Sequence, residues 1–166
     1  MTMQNNNNSR ILLKRLKKTL SVLGEAQARL NKIVKIIADS MNSEVCSIYL
    51  INRHNILELY ATEGLRSKAV HYSQLNVGQG LVGKIAATAE PIKTSQASKT
   101  KGFRYLPETG EEIYNSFLGV PIQRLGKMLG VLVIQNLKNR DFTEDDVYGL
   151  EIVAMVLAEM AELGVF

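Results

Sequence analysis

The polar side chains that could recognise a small molecule are concentrated in a long predicted loop, residues 95–116. An arginine guanidinium can clamp a carboxylate through two hydrogen bonds, a glutamate can hold an ammonium group, and hydroxyl groups can pair with an amide. The loop supplies all three kinds of group: Arg104, Glu112, Tyr105, Tyr114 and Ser116. Opposite charges in one loop fit a zwitterionic ligand. The alternative is that the aromatic side chains of this loop plug the core while its charged side chains are solvated.

A glycine-rich turn at residues 78–83 is the second candidate for ligand chemistry. It opens a predicted helix, and the free amides near Gly80 and Leu81 can bind an anionic group such as a carboxylate. The Gly-x-Gly-x-x-Gly spacing also matches a dinucleotide fingerprint, but that fingerprint requires a βαβ unit and a suitably placed acidic residue. Neither is predicted, so we reject dinucleotide binding. A tight turn that caps the helix is the alternative, and the two roles are compatible.

The sequence offers no catalytic or metal-binding set. Cys46 is the only cysteine and lies within a predicted strand, which indicates a buried small hydrophobe rather than a nucleophile. His54 and His71 are far from Cys46 in the sequence, in a predicted turn and at a predicted strand start. No nucleophile–base pair can be assembled from these residues. We therefore expect no enzymatic activity from this chain alone, and no metal or cofactor.

The net charge of +4 comes from one end of the chain. The basic residues of that end are Arg10, Lys14, Arg15, Lys17 and Lys18. The remaining chain is close to neutral and lacks the basic face of a nucleic-acid-binding protein, so nucleic acid is excluded. Membrane association through the basic stretch 12–18 is the weaker alternative. No signal peptide or membrane span is predicted, and a single cysteine fits a cytoplasmic protein.

The first 41 residues divide into a tail and a helix. Residues 1–9 are polar and asparagine-rich, and we expect them to be disordered. From residue 10 to 41, apolar residues recur at alternating spacings of three and four, as in a heptad seam with one polar position. The seam is Leu13, Leu16, Leu20, Leu23, Gln27, Leu30, Val34, Ile37 and Met41. The pattern predicts one amphipathic helix over 10–41, bent near Gly24, that forms a dimer over at least its first half. The alternative is a helix packed on its own domain.

Residues 42–166 form the predicted globular domain. Its apolar runs predict six strands, at 45–51, 56–62, 72–77, 92–94, 116–123 and 128–135. Two of the connections are hairpins, which require antiparallel pairing, and the fold class is therefore α+β. Thr143 and Asp146 form a capping box that begins a last helix ending near Leu163. That helix is apolar nearly all round, so we expect one side on the sheet and the other on a partner.

Several of these segments together resemble the GAF domain family. The segments are 43–50, 78–83, 117–122, and 129–132 running into 142–146, and the resemblance covers roughly residues 26–163. Phe103-Arg104-Tyr105-Leu106-Pro107, followed by Phe117-Leu118-Gly119-Val120-Pro121-Ile122, is similar to the subfamily found in nitrogen-related phosphoenolpyruvate-protein phosphotransferases. The resemblance implies a six-stranded antiparallel sheet with the N- and C-terminal helices packed on one face. It also implies a ligand pocket under the loops of the other face.

For function, the resemblance implies a regulatory domain placed before a catalytic region that passes phosphate to a small phosphocarrier protein. No such region is recognisable in this sequence. Glutamine is the effector that the subfamily resemblance suggests. The apolar patterns of the N- and C-terminal helices add the expectation of a homodimer in which the partner subunit contacts both helices. Two alternatives stay open: a purely structural dimerisation module without a ligand, and a nucleotide-sensing GAF domain. The latter is disfavoured because Leu137 and Val147 replace the lysine and glutamate of the cyclic-nucleotide motif.

Overall fold

The computed structural model describes residues 10–18 and 25–166 of the 166-residue chain. Within them the α-helices are α1 (10–18), α2 (Ala26–Ser40), α3 (Gly80–Thr88) and α4 (Glu144–Glu162). The strands are β1 (Val45–Ile51), β2 (Ile56–Glu63), β3 (Gln74–Asn76), β4 (Ile92–Thr94), β5 (Ser116–Arg124) and β6 (Lys127–Asn136). Short 3₁₀ turns lie at Ser67–Ala69, Ala97–Lys99 and Glu111–Ile113.

The six strands form one antiparallel sheet in the order β3-β2-β1-β6-β5-β4. The β5–β6 connection is a two-residue turn in which Leu125 and Gly126 both have positive φ, at 49° and 78°. Two positive φ values in sequence are typical of the hairpin turn that matches strand twist. The predicted α+β class, with N- and C-terminal helices on one face of a six-stranded sheet, is confirmed.

Two apolar layers cover the two faces of the sheet because strand side chains alternate between them. On one face α2 and α4 pack against Ile48, Leu118 and Leu132. On the other face α3 and the connecting loops pack against Leu57, Phe117 and Val131, among others. The second layer is the smaller one, and the candidate site lies within it.

The N-terminal helix differs from its prediction. Glu25 has an extended backbone, with ψ of 141°, so the predicted single helix over 10–41 is interrupted there before α2 begins. The predicted bend at Gly24, the seam positions Leu20 and Leu23, and the predicted disordered tail at 1–9 lie outside the described residues. The second half of the seam is used within the domain, since Leu30, Val34 and Ile37 are buried on the sheet.

In α1 the buried side chains are Leu12 and Leu16, whereas the seam residue Leu13 is 44% exposed. Leu12 and Leu16 join the core beneath α2 and α4. At most of its described positions, the heptad pattern therefore marks side chains that pack onto the domain's own core. The spacing alone does not distinguish such a helix from one that forms a dimer seam, because both have apolar residues at the same intervals.

The last helix begins as predicted. The Thr143 hydroxyl accepts a hydrogen bond from the Asp146 amide at 3.1 Å, and the Asp146 carboxylate accepts from the Thr143 amide at 2.8 Å. One side of α4 is buried on β5 and β6. The opposite side exposes Tyr148, Ile152 and Met155, at 61%, 52% and 66%. Among the residues that the structure describes, none of the helices has the length and apolar character needed to cross a bilayer.

Candidate functional site

A cavity lies between the first turn of α3 and the long loop that joins β4 to β5, on the sheet face opposite to α2 and α4. Its empty volume is about 300 Å³ with the open mouth included, but only about 20 Å³ is available to the centre of a water molecule. That interior holds about one water. The lining residues are Tyr49, Leu75, Gly80, Leu81, Val82, Phe103, Arg104, Leu106, Glu111 and Phe117. A ligand larger than water therefore requires the loop to move.

The glycine-rich turn brings the start of α3 against this loop. The Gly78 amide donates to the Gly83 carbonyl oxygen at 2.8 Å. A side chain at Gly83 would place Cβ 2.6 Å from the Asn76 carbonyl oxygen, and one at Gly80 would place it 3.2 Å from the Arg104 Cβ. Close packing thus explains Gly80 and Gly83, whereas Gly78 meets no neighbour and is explained by its φ of 93°. The first amides of α3 have no partner within the helix, so this end also retains its attraction for anions.

Glu111 is the acidic side chain that lines the cavity. Its carboxylate accepts a hydrogen bond from the Leu106 amide at 3.3 Å and a second from the buried Gln135 side chain of β6. Burial raises the pKa of Glu111 to about 7, the two hydrogen bonds oppose that rise, and the charges of Glu108 and Glu112 add to it. A carboxyl group with this pKa is ionised in about half of the molecules at neutral pH.

The loop around Glu111 is tied to the body of the domain by its backbone. The buried Thr109 hydroxyl donates to the Leu106 carbonyl oxygen at 2.8 Å. The Arg66 amide donates to the Thr109 carbonyl oxygen at 3.0 Å, and the Arg66 guanidinium donates to the Pro107 carbonyl oxygen at 3.2 Å. The Ser73 hydroxyl donates to the Glu108 carboxylate at 2.9 Å. These bonds fix 106–111, whereas Phe103 and Arg104 precede the anchored part.

Tyr49 supplies a hydroxyl to the cavity from the middle of β1. Burial, reinforced by the charges of Glu111 and Glu108, raises the pKa of Tyr49. The phenol is therefore neutral at physiological pH, and it can both donate and accept a hydrogen bond.

Of the residues that the sequence singled out, the structure brings Gly80, Leu81 and Arg104 to the cavity. It does not bring the other four. Tyr105 is 45% exposed, and Glu112 is an exposed neighbour that hydrogen-bonds to it. The Tyr114 hydroxyl donates to the Gly64 carbonyl oxygen at 3.2 Å. The buried Ser116 hydroxyl donates to the Lys138 carbonyl oxygen at 2.9 Å, on the other face of β5 from the cavity residue Phe117.

Sequence reasoning missed Glu111, Gln135 and Tyr49. For Gln135 a signal was present, because it follows Val131 and Val133 at every second position of an apolar strand. A polar residue in that register is placed in the interior and needs a hydrogen-bonding partner. For Glu111 no comparable signal exists, since two consecutive glutamates in a loop do not reveal which one turns inward.

The other residues considered for chemistry lie away from the cavity. Cys46 is buried in the helix-side core, and burial raises the pKa of its thiol, as expected for a packing residue. The two ring nitrogens of His71 are 3.3 Å from a Glu58 carboxylate oxygen and 2.8 Å from the Gln27 side-chain oxygen. Over residues 10–18 and 25–166, no cluster of three histidine, cysteine or acidic side chains has a geometry suited to a metal ion.

Asn136, Phe142 and Asp146, the residues that match the cyclic-nucleotide motif, have a structural role here. The Asn136 side chain donates to the Glu44 carboxylate at 2.7 Å. Arg140 lies 3.5 Å from the Asp146 carboxylate and stacks 4.6 Å from the centre of the Phe142 ring. These contacts brace the connection between β6 and α4, and none of the five side chains lines the cavity.

Comparison with known proteins gives a consistent match. The GAF domain family model matches residues 25–160. Over 116 residues the chain is 35% identical to the phosphoenolpyruvate-dependent phosphotransferase system protein of Escherichia coli, covering 67% of this chain and 15% of that protein. It is 26% identical over 147 residues to the Nif-specific regulatory protein of Azospirillum lipoferum, covering 84% of this chain and 23% of that protein.

A solved structure extends the match to three dimensions. The GAF domain of a phosphoenolpyruvate-protein phosphotransferase from Coxiella burnetii superposes with a TM-score of 0.85 at 30% identity, covering 96% of this chain and 98% of that one. The similarity therefore includes nearly the whole of that excised domain. By contrast, the chain spans only about a seventh of the length of the Escherichia coli relative.

Proposed function

This chain belongs to the GAF domain family, and from that premise we propose that it is a regulatory domain that binds free glutamine in the cavity between α3 and the β4–β5 loop. The observation that carries the proposal is the meeting of basic and acidic side chains at one cavity. Arg104, which is exposed, lines the cavity beside the first turn of α3, and Glu111 lies in the same lining. Arg104 and the first amides of α3 are the proposed anion site. A free amino acid carries both charges that such a cavity can pair.

The ligand carboxylate is assigned to Arg104 and to the amides near Gly80 and Leu81. A guanidinium binds a carboxylate with two parallel hydrogen bonds, and the positive end of a helix adds to the attraction. The neutral Tyr49 hydroxyl lies in the same lining, near Glu111, and can pair with a polar group of the ligand. A site that pairs an amide discriminates against an analogue that leaves its polar groups unpaired, so glutamate binds more weakly than glutamine.

Ligand entry requires a movement of the loop. The closed cavity holds about one water, and its floor is built from strands of the central sheet. Phe103 and Arg104 precede the segment anchored by Thr109, so they form the side that swings outward. Closure of this side over glutamine is the conformational change by which the domain reports binding.

At the level of the whole protein, we propose a position before the catalytic region of a phosphoenolpyruvate-protein phosphotransferase that phosphorylates a small phosphocarrier protein in the cytoplasm. The names and identities of the Escherichia coli and Coxiella burnetii relatives support this placement. The Nif-specific relative supports a regulatory role linked to nitrogen.

Isothermal titration calorimetry with glutamine and glutamate tests the proposed function. Arg104→Ala removes the charged partner of the ligand carboxylate and should weaken glutamine binding by roughly ten- to a hundredfold. Arg53→Ala is the matched control, because Arg53 lies in the β1–β2 turn, where its side chain donates to the His54 ring. Absence of heat with both amino acids would favour the alternative of a structural dimerisation module.

We further propose that the domain forms a homodimer through α1 and α4. The exposed apolar stripe of Tyr148, Ile152 and Met155 supports this proposal, together with the half-exposed Ile11 and Leu13 of α1. A row of large apolar side chains on one helix face is typical of a surface that a partner covers.

A further inference from the structure

We propose that Glu111 is the subsite for the ammonium group of the ligand, and that binding there releases a proton from the protein. The inference rests on the proposed function, because it assigns one end of the bound amino acid to one residue of the same cavity. It replaces Glu112, which the sequence suggested and which the structure places outside the cavity.

The hydrogen bonds of Glu111 leave capacity for a ligand. An ionised carboxylate has about four lone-pair sites. The Leu106 amide and the Gln135 side chain each donate one hydrogen bond to it, and both come from fixed parts of the fold, the anchored loop segment and β6. An ammonium group brings three donors and no acceptor, so it complements the remaining sites. Glu111 is held in place before the ligand arrives.

The charges around Glu111 favour a cation. From its own loop it is faced by Glu108, Glu112 and Tyr105, and from β1 by Tyr49, whereas Arg104 is the cationic side chain among the cavity-lining residues. A second cation, the Arg66 guanidinium, lies beside Gly110 and is engaged by the Pro107 carbonyl oxygen. Burial raises the pKa of Glu111 to about 7. An ammonium group beside the carboxylate favours the ionised form and lowers that pKa. The proton leaves to solvent, and an ion pair replaces a partly protonated acid.

The coupling fixes the direction of the pH dependence. Below about pH 7, glutamine has to displace a proton from Glu111, so its affinity falls up to tenfold for each pH unit. Between pH 8.0 and pH 5.5 the expected loss is about thirtyfold. If Glu111 instead donated a hydrogen bond in its protonated form to the ligand carboxamide, affinity would rise as pH falls. The direction in which affinity changes with pH therefore distinguishes an ionised Glu111 that binds the ammonium group from a protonated Glu111 that binds the carboxamide.

The test is calorimetric titration of the wild-type domain with glutamine at pH 5.5, 7.0 and 8.0. At pH 7.0 each titration is repeated in two buffers of different ionisation enthalpy, so that the number of protons released is measured. Glu111→Gln removes the charge and keeps the size, and Glu112→Gln is the matched control one residue away. Near-ultraviolet circular dichroism confirms that each variant is folded at each pH.

We expect the wild type to lose about thirtyfold in affinity between pH 8.0 and pH 5.5, and to release about half a proton at pH 7.0. Glu112→Gln should keep both effects in a somewhat smaller size, because the charge of Glu112 contributes to the raised pKa of Glu111. Glu111→Gln should bind more weakly at pH 8.0 and show neither effect. Wild-type binding that is independent of pH, that tightens at low pH, or that persists unchanged in Glu111→Gln would overturn the inference and leave the proposed function standing. Absence of wild-type binding at every pH would overturn both.

Discussion

The half-buried carboxyl group of Glu111 affects stability as well as the proposed binding. In the folded protein its pKa is about 7, compared with 4.5 for an unperturbed glutamate. Below pH 4.5 the group is protonated in both the folded and the unfolded states and has no effect on the equilibrium between them. Between pH 4.5 and pH 7 the unfolded chain ionises while the folded protein retains its proton, so folding becomes less favourable as pH rises.

Glu111→Gln should remove this loss of stability. The substitution leaves a neutral side chain whose oxygen can still accept from the Leu106 amide. We expect its free energy of unfolding, relative to wild type, to be higher at pH 8 than at pH 5 by roughly 2–3 kcal/mol. Urea denaturation of both proteins at the two pH values measures the difference. An equal difference at both pH values would mean that Glu111 is solvated, contrary to the structure.

At the residue scale, the sequence predicted part of the cavity lining. Arg104, Gly80 and Leu81 line the cavity, and they could be singled out because charge and helix geometry are readable from residue type and spacing. Glu112 lies outside the lining and its neighbour Glu111 within it, since the 3₁₀ turn at Glu111–Ile113 rotates successive side chains by about a third of a turn. Which glutamate faces inward is decided by the anchoring of 106–111, which no local pattern encodes.

At the element scale, the strands and the capped helix were predictable because their signals are local. β5 and β6 follow a clear apolar pattern around a turn that requires positive φ. The capping box marks the start of α4. The break at Glu25 was not predictable. A heptad pattern continues across it, and only tertiary packing decides where an amphipathic segment stops being one helix.

Gly130 shows how the sheet constrains sequence at this scale. A Cβ atom at this position of β6 would collide with the backbone carbonyl oxygen of Tyr49 in β1, whereas one at Gly149 in α4 meets no atom within 4 Å. Gly130→Ala should therefore lower the free energy of unfolding by about 1–3 kcal/mol. Gly149→Ala should raise it by about 0.5–1 kcal/mol, because alanine favours a helix. Chemical denaturation of the two variants checks the pair, and a stable Gly130→Ala protein would contradict the β1–β6 register.

At the scale of the whole molecule, the exposed stripe on α4 leads to a prediction about assembly. Ile152→Glu places a charge in the centre of the stripe and should convert the proposed dimer to a monomer, because desolvating an unpaired charge is costly. Leu125→Glu is the control, since Leu125 is 90% exposed in the β5–β6 turn. Sedimentation velocity at micromolar concentration distinguishes the species. A wild-type domain that sediments as a monomer would contradict the proposed dimer.

The central claim is that glutamine binds in the cavity between α3 and the β4–β5 loop. Mapping amide chemical shifts of the ¹⁵N-labelled domain during titration with glutamine tests it most directly, because the method reports the place of binding together with its occurrence. Binding in this cavity should cause saturable shifts at Gly80, Leu81 and Leu106 and at the Gln135 side-chain amide, with the β1–β2 turn at 52–55 unchanged. Absence of shifts at millimolar glutamine, or shifts confined to the other face of the sheet, would contradict it.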